Sequence, residues 1–393
     1  MINTIPGTLQ PGALDRRAGL GPNRDLIGRP NGRKLLSTPA LILDLDALEH
    51  NIGVMAAFGR KSGIALRPHA KTHKSAHIGA LQRQAGAVGL CCAKLGEAEA
   101  LAGEDAGPLL ITSPVVGPSA LARLATLCDR TDLSVVVDSE ENVLALGAAL
   151  QGRRLTVLID LDPGLHRTGV PGAGAAVELA RAIQDQENLR FGGLQFFSGP
   201  TQHIEDYRAR SRDVEDRTAN LVAVAEALRS AGFPPAVITG GGTGTHEIDA
   251  RLGVMTELQV GSYVFMDDQY STCALYPATA SPFRTSLTID TRVVSANWPG
   301  LVTVDAGLKA STGSLLPPRI LSGAPEGAIY EYRGDEHGAV ILPEGARAPR
   351  LGDVVSLGTP HCDPTVNLYD FYHVVRGDDL IDIWPVTARG LSS

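Results

Sequence analysis

The chain has 393 residues, 44% of them apolar and 20% charged, and its 43 acidic against 35 basic side chains leave a net charge of −8. That balance argues against nucleic acid or an anionic membrane surface as a partner, and no apolar run reaches the ~18 residues a membrane span requires. The length buries a large core and allows one big domain with a smaller companion.

Residues 1–37 are rich in Gly, Pro and Arg and lack an apolar stretch, so they read as an extension and not as a secretory signal. They are expected to pack on the C-terminal domain or to be partly disordered. Over residues 38–272 short β-rich runs alternate with helical spacing. The runs are Ala40–Leu45, Gly63–Leu66, Ala87–Cys92, Pro108–Thr112, Leu133–Val137, Leu155–Leu161, Phe191–Phe197, Ala236–Thr239 and Leu258–Val264. Helical spacing lies between them over Leu48–Phe58, Glu97–Leu101, Ala120–Leu127, Glu141–Leu150, Ala175–Gln184 and Ile204–Ala231. With Ala40–Leu45 set aside as a lead-in strand, the count fits an α/β fold of TIM type, a closed (β/α)8 barrel. An open doubly wound sheet is the alternative.

Over residues 273–393 the pattern changes to short strands between Gly, Pro and Asp turns. They are Thr285–Val294, Leu301–Val304, Ala328–Tyr332, Ala339–Leu342, Val354–Leu357, Tyr372–Val375 and Leu380–Trp384. Few helical patterns intervene, so a smaller antiparallel β domain is expected after the barrel. Five cysteines, with Cys91 and Cys92 adjacent and no CxxC pair, make no disulfide framework and point to a reducing cytoplasm.

The run Arg67–Ser75, RPHAKTHKS, gathers five basic or imidazole groups at the end of the first barrel strand. Counting by twos puts Ala65, Arg67, His69 and Lys71 on one face. A short basic motif is ordinarily surface charge, but strand ends are where α/β folds place their chemistry. A lysine crowded by cations and shielded from water is the amine a Schiff base needs, which singles out Lys71. Lys74 falls past the strand, where charge at a helix start explains it.

The strand Leu155–Leu161 carries Asp160 at its end and is followed by Asp162, His166 and Arg167. Asp162-Pro163-Gly164 reads as a turn, whereas the permanently charged Arg167 would keep a nearby pyridine nitrogen unprotonated. Thr239–Thr245, TGGGTGT, is either a phosphate cradle or a flexible loop. With Gly261, Ser262 and Tyr263 it falls at the seventh and eighth barrel strands, where barrels hold phosphates, which favours the cradle. His361 and Asp363 stand two apart, with Cys362 pointing the other way. They form either a turn or a two-ligand site for Mg²⁺ or Mn²⁺. Asp335-Glu336-His337-Gly338 reads as a loop.

Nine motifs in this order, RPHAKTHK, CCAKxxEA, HRTGV, TGGGTGT, TELQxGSYxFMD, VDAGLK, DEHG, HCDPT and WPVTARG, resemble the D-threonine aldolase and D-serine dehydratase group. These are pyridoxal-phosphate enzymes of the alanine-racemase-like fold, and the resemblance spans Thr38 to Gly390. It implies that Lys71 is the Schiff-base lysine and that Arg167 lies near the pyridine ring. Gly242, Thr243, Gly244, Gly261, Ser262 and Tyr263 would surround the cofactor phosphate, and His361 and Asp363 would hold the metal. Asp363 stands where the dehydratase branch has cysteine, so the resemblance favours the aldolase branch and Mn²⁺ or Mg²⁺ over zinc.

The implied activity is retro-aldol cleavage of a D-3-hydroxy amino acid to glycine and an aldehyde. The base would be metal-bound water, His69 or His203. The resemblance also implies a homodimer acting on a small molecule. Phe197 stands where aldolases commonly have tyrosine, and Ala93 where glutamine is usual; both bear on the substrate. D-serine or hydroxyaspartate dehydration and hydroxyaspartate aldol cleavage are the near alternatives. A racemase would need no metal pair, and a noncatalytic pyridoxal-phosphate carrier would lack the β domain.

Overall fold

The structure, a computed structural model, describes residues 19–103, 107–312 and 316–393. The expectation for residues 1–18 lies outside these. Residues 19–37 run along the C-terminal domain, with Gly28 N–H donating to Leu380 O at 2.8 Å and Arg33 N–H to Asp378 O at 3.0 Å.

The chain enters through β1 (Ala40–Asp44) and α1 (Leu45–Ser62). The Asp44 carboxylate caps α1 by accepting from Ala47 N–H, and Gly63 ends it in the left-handed region at φ 72°. Leu45, Leu48, Ile52 and Met55 line its buried face at helical spacing. There follow β2 (Ala65–Leu66), α2 (Ala76–Gln84), β3 (Leu90–Cys92), α3 (Leu95–Leu101), β4 (Leu109–Ile111) and α4 (Pro118–Leu127). Next come β5 (Leu133–Val137), α5 (Glu140–Ala149), β6 (Leu155–Asp160), α6 (Ala173–Gln184), β7 (Leu189–Phe196) and α7 (Tyr207–Ser230). The barrel half ends with β8 (Val237–Gly240), α8 (His246–Leu252), β9 (Glu257–Leu258) and α9 (Asp268–Ser271).

The eight strands β2–β9 pair in parallel in the order β2-β9-β8-β7-β6-β5-β4-β3. A parallel bridge between His69 and Cys91 closes the ring. Both faces of these strands are covered, which is why they read as apolar throughout. A small plug of Cys91, Leu110, Val136 and Leu158 fills one part of the barrel interior. The outer faces pack against the helices in the main core.

The C-terminal domain holds β10 (Leu287–Ser295), β11 (Leu301–Val304), β12 (Ile320–Ser322), β13 (Ile329–Tyr332), β14 (Gly338–Ile341) and β15 (Val354–Gly358). It ends with α10 (Cys362–Val366), β16 (Phe371–Arg376) and β17 (Asp379–Pro385). The barrel followed by a largely antiparallel β domain is therefore the architecture expected from the sequence.

Three details differ. β1, read as the lead-in strand of residues 38–272, belongs to the second sheet, antiparallel to β10 and parallel to β16. Ala40 and Ile42 pack on Val375, Leu380 and Ile383, while Leu41 and Leu43 join the main core. A strand apolar on both faces carries no mark of which sheet it joins. β9 stops at Leu258, and Ser262–Val264 form a 3-10 turn instead of more strand. β12, mostly exposed, carries too weak a pattern to read. Among the described residues no helix is long and apolar enough to cross a membrane.

Candidate active site

The strand alternation from Ala65 holds as far as His69. Arg67 N–H donates to Leu258 O and His69 N–H to Val260 O, each at 2.9 Å, extending the pairing beyond β2. Arg67 turns to Glu257 through a bidentate pair at 2.7 and 3.1 Å. Lys71 stands on the next 3-10 turn, Ala70–Thr72, and not on the strand itself. Its Nζ lies 3.6 Å from Asp363 Oδ2 and 5.7 Å from the centre of the Phe197 ring.

The cationic crowd expected around Lys71 is not what the fold builds. His69 is buried, and burial first, then Lys71, holds its pKa well below the usual imidazole value. Lys71 N–H donates to His69 Nδ1 at 3.4 Å, so the proton sits on Nε2, which faces the Thr112 hydroxyl at 3.1 Å. Lys74 is not charge at a helix start. It is buried, at a φ of 49°, and its Nζ meets Glu97 Oε1 at 2.5 Å. Tyr372 Oη donates to His73 O at 2.6 Å, so the β domain clamps the segment that carries Lys71.

Lys71 lies between two connected lobes. One, about 260 Å³, is lined by Thr72, His203, Gly242, Thr243, Gly261, Ser262, Tyr270, His361 and Asp363. The other, about 510 Å³, is lined by Ala93, Lys94, Thr112, Ser113, Asp138, Thr168 and Gln195. His69, Lys71, Arg167, Phe197 and Gln259 border both.

In the smaller lobe the backbone N–H groups of Thr243, Gly261 and Ser262 have no protein acceptor among the described residues. A Cβ at Gly242 would meet Gln202 Oε1 at 2.6 Å, and one at Gly261 would meet Thr72 Oγ1 at 2.6 Å. Unspent N–H groups beside glycines required by close packing make a cradle suited to a phosphate. Two expected members sit behind it. Gly244 N–H is spent on Gln202 Oε1 at 3.0 Å. Tyr263 is buried, its phenol accepting from Gln82 Nε2 at 3.0 Å and its N–H donating to Thr243 Oγ1 at 2.9 Å.

Arg167 stands 6.0 Å from the centre of the Phe197 ring and forms no ion pair among the described residues. Its neighbour Asp162 takes the N–H groups of Gly164, Leu165 and His166 on one oxygen at 2.7–3.1 Å, the turn read from Asp-Pro-Gly.

His361 precedes α10 and Asp363 lies in its first turn, so both reach the smaller lobe while Cys362 is buried. Burial, then Asp267 and Asp363, pushes the Cys362 thiol well above its ordinary value. Burial also pushes the Asp363 carboxyl up, but Lys71, His361 and the Thr72 hydroxyl outweigh it and leave the pKa lowered. Among the described residues no three His, Cys, Asp or Glu side chains converge on one point. A divalent ion here would thus take the remaining ligands from solvent or substrate.

His203 sits on the rim, and its ring nitrogens make no protein hydrogen bond among the described residues. Partial burial, then His361, lowers its pKa. Sequence reasoning left out the polar network of the barrel mouth. Gln195 Nε2 donates to Asp160 Oδ1 at 2.9 Å and to Thr112 O at 3.0 Å, and Gln259 Nε2 reaches Gln195 Oε1 at 3.2 Å. It also missed Tyr270 and Asp267, although both fall within or just beyond the FMD motif.

Residues 43–269 match the family model described as alanine racemase, N-terminal domain, and residues 286–375 match a serine dehydratase domain model. The chain is 39% identical to a D-threonine aldolase of an Arthrobacter species, over 91% of this chain and 94% of that one. It is 38% identical to a 3-hydroxy-D-aspartate aldolase of Paracoccus denitrificans, over 90% and 92%. The crystal structure of D-threonine aldolase from Filomicrobium marinum superposes with a TM-score of 0.88 at 36% identity, covering 91% of this chain and 97% of that one.

Proposed function

The chain belongs to the alanine-racemase-like family that includes the D-threonine and 3-hydroxy-D-aspartate aldolases, and we propose that it cleaves D-3-hydroxy amino acids to glycine and an aldehyde using pyridoxal phosphate and a divalent ion. It is a lyase of the aldolase type. The observation that supports this reading is Lys71 Nζ 3.6 Å from Asp363 Oδ2, in a lobe lined by both the unspent N–H cradle and His361.

Pyridoxal phosphate, when bound, supplies an electron sink for the electrons of a broken Cα–Cβ bond. Lys71 would hold it through Nζ, and the N–H groups of Thr243, Gly261 and Ser262 would receive its phosphate. Arg167 cannot give up its proton, so beside the ring nitrogen it would keep that nitrogen neutral. His361 and Asp363 would bind Mn²⁺ or Mg²⁺. His203 supplies the base, since its depressed pKa leaves it neutral at physiological pH and its nitrogens are unspent. His69 is the weaker choice because both of its nitrogens are engaged.

We also place the protein in the cytoplasm as a homodimer. Five unpaired cysteines support the first. Exposed Trp298, Ile329 and Leu351 on the β domain support the second, and light scattering on the purified chain tests it. The decisive test of function is product analysis with D-threonine, D-phenylserine, D-3-hydroxyaspartate and D-serine in parallel. Glycine with an aldehyde is expected; ammonia with a keto acid would make the enzyme a dehydratase.

A further inference from the structure

Tyr270 is 7% exposed and lines the smaller lobe, yet its phenol makes no protein hydrogen bond among the described residues. The residue is buried while its hydroxyl is left to the lobe, where water or a ligand is the partner open to it. Its ring lies 4.7 Å from that of His203 at an angle of 45°. A phenol keeps its proton at neutral pH, so the hydroxyl can donate.

One carboxylate fixes where that donor stands. Asp267, itself buried, accepts Tyr270 N–H on Oδ1 at 3.1 Å and Cys362 N–H on Oδ2 at 2.8 Å. Cys362 is the residue between His361 and Asp363. Two backbone bonds repeat the link, from Asp268 N–H to Thr359 O at 2.9 Å and from Gln269 N–H to Pro360 O at 3.3 Å. Tyr270 is therefore held in register with the His361–Asp363 pair across the boundary between barrel and β domain.

We propose that Tyr270 contacts the substrate, its phenol donating a hydrogen bond to the β-oxygen held beside His361, Asp363 and His203, with Asp267 as the residue that positions it. The oxygen leaves as the aldehyde carbonyl, so a fixed donor serves it before and after the Cα–Cβ bond breaks. This inference rests on the aldolase reading above.

The test is Tyr270→Phe in the full-length holoenzyme, a change that keeps the ring in the core. Cleavage of D-threonine is expected to fall about 100-fold in kcat/KM, with the Kd for pyridoxal phosphate unchanged. The ratio of the Ki for D-2-aminobutyrate, a competitor that lacks the β-hydroxyl, to the KM for D-threonine should drop about tenfold. Asp267→Asn should lower cleavage in the same sense and lower the same ratio. Cleavage within threefold of wild type overturns the inference while leaving the aldolase reading intact. A weakened Kd for the cofactor that accounts for the lost activity also overturns it, by moving Tyr270 to the phosphate. A wild-type chain that cleaves no D-3-hydroxy amino acid overturns both.

Discussion

Replacing Lys74 by methionine should destabilise the protein more than its position at the start of a helix suggests. The side chains of Lys74 and Glu97 are 8% and 4% exposed, and Nζ and Oε1 are 2.5 Å apart. Glu97 Oε2 also accepts Ala93 N–H at 2.7 Å and Lys94 N–H at 3.3 Å. Lys74 O receives Ala388 N–H at 2.9 Å, tying the Lys71 segment to the C-terminal stretch. Lys74→Met would leave the Glu97 charge buried without its counter-ion, and removing one partner of such a pair costs ~3–5 kcal/mol. Neutralising both, as Lys74→Met with Glu97→Gln, removes the stranded charge and should recover about 2 kcal/mol of that loss, seen as coupling in a double-mutant cycle. Urea unfolding followed by circular dichroism measures all four species. A single variant within about 1 kcal/mol of wild type, or a double variant at the simple sum, would refute the reasoning.

Three further outcomes follow from the site and its surroundings. Lys71→Ala should abolish turnover and the visible absorption of bound cofactor, and borohydride reduction followed by mass spectrometry should label Lys71 in wild type alone. Chelation with EDTA should silence the enzyme and Mn²⁺ restore it, whereas His361→Ala and Asp363→Asn should resist rescue; full activity in EDTA would remove both residues from the mechanism. Asp249 is fully buried behind the glycine-rich loop, and burial raises its pKa from 3.8 to about 7 against the lowering effect of the Thr245 hydroxyl. The folded state thus keeps a proton that the unfolded chain has released, and stability is lost as pH rises from about 4 to 7. Asp249→Asn should become progressively more stabilising over that window, by up to the order of 4 kcal/mol above pH 7; equal melting-temperature differences at pH 5 and pH 8 would contradict this.

The sequence by itself determined the layout of the chain. Period-two and period-3.6 patterns are local, so strand–helix alternation and the change near residue 273 are legible along the chain. Lys71, Arg167, His361 and Asp363 stood out along the chain as polar residue types in short motifs, and the resemblance gave them roles. Only the tertiary structure decided which of them meet. Asp363 lies 292 positions from Lys71, and no spacing predicts that its carboxylate stands 3.6 Å from that amine. Burial is likewise a property of the whole fold. It turned Lys74 from surface charge into half of an internal ion pair and set Gly244 and Tyr263 behind the cradle. It also left Tyr270 with an unspent hydroxyl. β1 changed sheets for the same reason, since a strand apolar on both faces is assigned only by the neighbours that cover it.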